Sequence, residues 1–255
     1  MAESVYPPVI RFALGTFKAL GLQLDIRGVE HVPETGGGVV VINHIGYLDF
    51  ALAGVPFWRG HHRLVRFMAK EQVFRHPVSG PLMRGMKHIP VDRAAGAGAY
   101  RAALTALRGG ELVGVFPEAT ISQSFCLKEF KTGAVRMAVA AGVPVYPLVL
   151  WGSQRVWTKG RPRNLRSARG TPITISLGAP LRLPPGTDAT VGTKQVTDAM
   201  EVLLVEAQRD YPTDPAGAPW WLPARAGGSA PTPERAAELE REQAAEKLRR
   251  TAREG

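Results

Sequence analysis

Apolar residues in this chain of 255 residues fall into short runs broken by glycine, proline and charge. Val39-Val40-Val41-Ile42 follows the Gly36-Gly37-Gly38 turn. It is a β-branched run suited to a strand buried on both faces. Similar runs predict strands over Lys87–Val91, Leu112–Phe116, Val143–Leu150 and Ile173–Leu177, with Pro117 closing the second of these four. Helix formers predict helices over Leu48–Val55, Ala99–Leu107, Gly133–Ala141 and Val191–Gln208, with Gly109-Gly110 and Gly142 as stops. Strands alternating with helices predict an α/β layered domain. Near the start, Val9, Phe12, Ala13, Phe17, Leu20 and Leu24 recur at roughly helical spacing. That stripe fits a helix lying at a membrane interface or one packed on the domain's own core.

Six prolines lie between Pro212 and Pro233, which predicts a linker with little to pack except Trp220-Trp221-Leu222. Glu234–Arg253 then reads as an exposed charged helix. Glu242 with Glu246 and Arg249 with Arg253 place like charges at i, i+4, so it is weak on its own and is expected to be mobile. No run of ~18 uncharged apolar residues occurs, so no spanning helix is expected. Met1–Tyr6 has an acid and no basic residue, which argues against an export signal.

Charge sharpens this outline. The chain has 32 Lys and Arg against 22 Asp and Glu, a net +10, with 45 % hydrophobic and 21 % charged residues. Wholesale disorder is excluded. Two segments concentrate the excess: Arg59–Arg93, and Arg155–Arg169, which holds six basic residues and no acid. Such a field attracts nucleic acid, an anionic membrane surface or acidic partners. Trp151 and Trp157 beside the second run suit either base stacking or a lipid interface. The single cysteine, Cys126, excludes an internal disulfide and reads as a small apolar residue. His61-His62 lacks a third ligand at useful spacing, so no metal is expected.

The chemistry gathers at strand exits. Asn43-His44-Ile45-Gly46-Tyr47-Leu48-Asp49 follows the first strand. Five residues turn a helix by about 500°, so His44 and Asp49 cannot share a helix face. They meet only if His44 lies in the turn and Asp49 in the first helical turn. Asp49 then accepts from one imidazole nitrogen and leaves the other as a base. Ile89-Pro90-Val91-Asp92-Arg93 ends a strand with a guanidinium suited to phosphate. Phe116-Pro117-Glu118-Ala119-Thr120 ends another with a carboxylate and a hydroxyl, and Phe130-Lys131-Thr132-Gly133 opens a helix where an anion can sit. Val143-Pro144-Val145-Tyr146-Pro147 suits the wall of an apolar slot. If the strands are parallel, these exits converge.

Over about residues 25–180 these blocks, in this order, resemble the glycerophospholipid acyltransferases, the 1-acylglycerol-3-phosphate type with its His-x₄-Asp motif in particular. The resemblance implies a layered acyltransferase domain with a mostly parallel or mixed central sheet flanked by helices. It implies that His44 deprotonates an acceptor hydroxyl, that Asp49 orients it, and that Arg93 and Glu118 bind the acceptor, with Ala119 and Thr120 in the same block. Lys70 and Lys131 are further phosphate candidates on charge alone. No Gly-x-Ser-x-Gly elbow is present, in keeping with direct transfer. The family's Gly-Thr-Arg is here Ala119-Thr120-Ile121; Ala119 disfavours φ > 0 and Ile121 removes a guanidinium, which puts the acceptor head group in question.

The expected organisation is a possible membrane-interface helix (1–26), the acyltransferase domain (27–210), a Pro-rich linker (211–233) and a charged tail (234–255). The expected reaction moves an acyl group from acyl-CoA or acyl-carrier protein to the sn-2 hydroxyl of 1-acylglycerol 3-phosphate, giving phosphatidic acid, with no cofactor. The expected setting is the cytoplasmic face of a bacterial membrane, held peripherally by anionic lipid, without nucleic acid. The alternatives are another lysolipid or glycolipid acceptor, or a non-catalytic lipid- or nucleic-acid-binding protein.

Overall fold

The computed structural model describes residues 3–92, 96–162, 168–212 and 217–254. In chain order the elements are α1 (Tyr6–Ala19), β1 (Gln23–Arg27), β2 (Gly38–Ile42), α2 (Asp49–Leu52), α3 (Val55–His61), β3 (Val65–Lys70), α4 (Glu71–Arg75), α5 (Ser79–Gly85), β4 (Ile89–Val91), α6 (Gly96–Arg108), β5 (Leu112–Val115), α7 (Gly133–Ala141), β6 (Val145–Trp151), β7 (Pro172–Leu177), α8 (Ala189–Arg209) and α9 (Pro233–Glu254). They build one seven-stranded sheet of order β1-β7-β6-β2-β5-β3-β4 with helices on its faces. Among the described strands only the β6–β7 pairing is antiparallel. β2 sits between β5 and β6, and all five of its residues are buried, which is why it reads as an unbroken apolar run.

Local chemistry sets several boundaries. α7 ends where Gly142 takes φ 67° and its N–H caps the carbonyls of Ala138 and Val139. α8 starts at Asp188, whose carboxylate accepts the N–H groups of Thr190 and Val191. It buries Val196, Met200, Leu204 and Ala207, spaced four, four and three apart, against the sheet. Where sequence and structure differ, the cause is tertiary. β1 is an edge strand of alternating exposure, and β3 carries Arg66, so neither reads as an apolar run. Arg66 is buried because Glu3 (2.6 Å) and Glu111 (3.0 Å) neutralise it. The helix expected to run to Ile26 stops at Ala19, and Leu24 belongs to β1. Phe17 of its stripe is buried, while Phe12 is 78 % exposed. The Tyr6 hydroxyl donates to the Val65 carbonyl (2.6 Å), tying α1 to β3.

In the C-terminal segment the linker packs through the expected Trp220-Trp221-Leu222, and α9 is exposed along most of its described length but anchored near its start. Trp221, Leu222, Ala230 and Ala236 are buried. Arg155 lies over the Trp221 ring (4.6 Å) and Arg161 over Trp220 (4.7 Å). The basic run thus spends two of its guanidinium groups on the protein's own indoles. Trp151 is wholly buried, so it meets neither lipid nor base, and the Trp157 ring lies tilted against Tyr47 at 4.7 Å. Val145, Tyr146 and Pro147 lie inside β6, fully buried in the sheet; they form core and not the wall of an open slot.

Candidate active site

β2, β5 and β6 are parallel neighbours, so their C-terminal ends lie side by side and three loops distant in sequence meet. Asn43, at the exit of β2, accepts the Leu150 N–H (2.7 Å) and donates to the Leu150 carbonyl (3.0 Å), which fixes the turn to β6. His44 follows. Its N–H donates to Glu118 Oε1 (2.9 Å) and its carbonyl accepts the Ser122 N–H (2.7 Å), so the loop after β5 grips both ends of this residue. Its ring centroid lies 4.5 Å from that of Phe116.

His44 Nδ1 lies 3.0 Å from Asp49 Oδ2. Asp49 is the first residue of α2. Its Oδ2 also accepts the N–H groups of Ile45 and Gly46, both at 2.7 Å, and its Oδ1 accepts the Ser153 hydroxyl at 2.6 Å. An oxygen already holding two backbone donors is an acceptor, so this network assigns the proton to Nδ1 and the lone pair to Nε2. The Asp49 side chain is 0 % exposed and that of His44 is 22 % exposed. The orienting group is sealed while the base is reachable. Gly46 lets the β6 loop approach this closely: a Cβ there would lie 3.0 Å from the Trp157 carbonyl oxygen and 3.1 Å from Ser153. The Tyr47 N–H donates to Trp157 (3.0 Å), and the Thr158 hydroxyl donates to Ile45 (2.7 Å).

Burial pushes the Glu118 carboxyl up to about 8, against the opposing effects of the His44 N–H and the Lys128 charge. Among the described residues its Oε2 has no hydrogen-bond partner. Glu118 is therefore largely a neutral acid at pH 7 that holds the His44 backbone from inside. Ala119 adopts φ 62°, a left-handed conformation that a glycine takes without strain. Ile121 is buried. The Thr120 hydroxyl accepts from Lys128 Nζ (2.8 Å) and donates to Glu240 Oε1 (3.1 Å).

Lys131 is exposed at the mouth of α7, and its N–H donates to Pro117 (3.2 Å), so it borders the Glu118 turn. Lys70 ends β3 beside Val91 of β4. It lies two strands from β2, roughly 10 Å across the sheet. Arg93 lies outside the described residues. Burial raises the Cys126 thiol, as suits a small packing residue rather than a nucleophile. Ser153, Lys128 and Glu240 join this cluster without having been singled out in the sequence. Gly152-Ser153 at the end of the β6 run was the available signal for the first. Tyr6, Ile10, Leu14, Phe50, Val55 and Phe67 line an apolar pocket between α1 and the sheet.

Residues 23–151 match the model of the family described as Acyltransferase. The chain belongs to that family. Among its relatives, a 1-acyl-sn-glycerol-3-phosphate acyltransferase of Limnanthes alba is 30 % identical over 166 residues, covering 63 % of this chain and 55 % of the relative. One of Bacillus subtilis is 29 % identical over 154 residues, covering 56 % of this chain and 74 % of its own length. The match thus spans just over half the plant relative's length. The crystal structure of the 1-acyl-sn-glycerophosphate acyltransferase PlsC from Thermotoga maritima superposes with a TM-score of 0.66 at 24 % identity over 81 % of each chain, a likeness of fold.

Proposed function

We propose that this acyltransferase moves an acyl group from a thioester, acyl-CoA or acyl-carrier protein, to the sn-2 hydroxyl of 1-acylglycerol 3-phosphate, giving phosphatidic acid. The observation that carries the reading is the His44–Asp49 pair, with Asp49 buried under three further donors and His44 open. Nε2 takes the hydroxyl proton as the oxygen attacks the thioester carbonyl. The tetrahedral intermediate collapses, the C–S bond breaks, and the imidazolium returns the proton to the departing thiolate. A positioned base of this kind contributes about 10²–10⁴-fold. The names of the relatives support the acceptor class.

The basic excess, with Phe12, Val78 and Leu82 exposed on α1 and near α5, supports peripheral contact with an anionic membrane. No helix among the described residues is long and apolar enough to cross a membrane. A second reading, another lysolipid or glycolipid acceptor, is favoured by one observation: buried Ile121 offers no cation where the family has arginine.

The test is thiol release from acyl-CoA and, separately, acyl-carrier protein, with and without 1-acylglycerol 3-phosphate, read with product masses. Release that depends on this acceptor and yields phosphatidic acid is the expected result. Release with a different lysolipid alone moves the assignment to the second reading. His44→Ala is expected to abolish turnover while keeping the parent's thermal midpoint. A folded, active His44→Ala chain would remove His44 as the base.

A further inference from the structure

The loop after β5 carries a cation that the proposed mechanism does not use. Lys128 Nζ lies 2.7 Å from both carboxylate oxygens of Glu240 and 2.8 Å from Thr120 Oγ1, and Thr120 donates to the same carboxylate at 3.1 Å. Glu240 belongs to α9, some 120 residues away in the chain. Its approach is not a chance surface contact. Ala236, one turn earlier, is buried, and Trp220, which precedes the helix, packs at 6.3 Å on Phe125 of the same loop.

Thr120 sits between Glu118, which holds the His44 N–H, and Ser122, which holds the His44 carbonyl. Two residues span at most about 7 Å, so this hydroxyl lies within a short reach of the His44 backbone. In a 1-acylglycerol 3-phosphate the phosphate is also only a few bonds from the sn-2 hydroxyl. An anionic head group on Lys128 and Thr120 therefore leaves that hydroxyl near His44. A carboxylate occupies this place in the structure.

We propose that Lys128 and Thr120 form the subsite for the anionic head group of the acceptor and that Glu240 fills it as an internal competitor, so that α9 must yield before a phosphorylated acceptor binds. This rests on the acyl-transfer reading. Lys128 supplies the positive charge that Ile121 does not. The Lys128 and Glu240 side chains are 27 % and 21 % exposed, so the pair is partly buried and still reached by solvent at its edge. A phosphomonoester carries about −1.5 to −2 charges at pH 7 and three acceptor oxygens, against −1 and two for the carboxylate. It outcompetes Glu240 for the same two donors. An uncharged acceptor does not.

The test uses the full chain. Thiol release from acyl-CoA and, separately, acyl-carrier protein is followed across concentrations of 1-acylglycerol 3-phosphate and, in parallel, of 1-acylglycerol without phosphate, with the donor the parent uses. Glu240→Gln is expected to lower KM for the phosphorylated acceptor at least threefold and to move KM for the uncharged one less than twofold. Glu240→Ala is expected to act in the same direction, with a thermal melt confirming that both variants fold. Lys128→Met is expected to raise KM for the phosphorylated acceptor at least tenfold, and adding Glu240→Gln to it changes nothing further. An active parent whose KM is unchanged or raised in both Glu240 variants overturns the inference and leaves acyl transfer standing. A parent that releases no thiol with the phosphorylated acceptor overturns the reading of the acceptor instead. Calorimetric binding of sn-glycerol 3-phosphate then decides the inference. Binding at least threefold tighter in Glu240→Gln supports it, and equal binding overturns it.

Discussion

Removing the Ser153 hydroxyl isolates one strut of the site. Among the described residues Ser153 is the hydrogen-bond partner of Asp49 Oδ1, at 2.6 Å, and both side chains are wholly buried. Ser153→Ala leaves a buried carboxylate oxygen with no donor and no access to water. A hydrogen bond to a charged group is worth about 1.5–3 kcal/mol, and an unsatisfied buried acceptor costs about 1–3 kcal/mol. The two figures describe the same loss, so the expected destabilisation is about 2–3 kcal/mol. For a chain of this size that lowers the thermal midpoint by roughly 4–12 °C. Turnover should fall far less, within about tenfold, because Ile45 and Gly46 still hold Oδ2 at 2.7 Å against His44 Nδ1. Urea denaturation gives the stability term and thiol release the activity. The same substitution in an Asp49→Ala background should cost under about 0.5 kcal/mol, because its partner is gone. A stability change below about 0.5 kcal/mol in the parent background, or an equal cost in both backgrounds, would refute the assignment of Ser153 as the strut.

Other consequences follow from the loop after β5 and from one buried histidine. Ala119→Gly releases a φ of 62°, which costs an L-residue about 1–2 kcal/mol, against about 0.5–1 kcal/mol of extra chain entropy. The variant should gain about 0.5–1 kcal/mol, and a thermal midpoint more than 2 °C below the parent would contradict this. Stability should also depend on pH through two buried groups of opposite sign. Glu118 is raised to about 8, so the folded state holds a proton the unfolded chain releases, and stability falls as pH rises from about 4.5 towards 8. Burial, aided by the Arg66 charge, lowers His88 to about 3, so its contribution is lost as pH falls from about 6.5 towards 3. From these two groups the profile is flat between about 4.5 and 6.5 and declines on either side, by up to about 1.4 kcal/mol per pH unit. Glu118→Gln keeps an acceptor for the His44 N–H and should remove the alkaline decline; identical slopes for parent and variant between pH 6.5 and 8 would count against a protonated Glu118.

The sequence by itself determined whatever is written in neighbouring residues. β2, β5 and β6 are legible because strands buried on both faces read as apolar runs, and β7 because Ile173, Ile175 and Leu177 alternate with Thr174 and Ser176. The bounds of α7 are legible because Gly142 alone takes the left-handed cap without strain. The His44–Asp49 contact closes within one turn, so its spacing in the chain carries the geometry. Tertiary structure decided the rest. β3 contains a buried Arg66 that Glu3, Glu111 and the Met86 carbonyl, 63, 45 and 20 residues away, make tolerable. Ser153 reaches Asp49 across 104 residues because β6 happens to lie beside β2 in the sheet. The C-terminal helix has the composition of a solvated appendage, and its charge pattern is unchanged by docking. What holds it is Trp220, Trp221 and Ala236 against surfaces built by other elements, and no local pattern records the partner of a residue more than a hundred positions away.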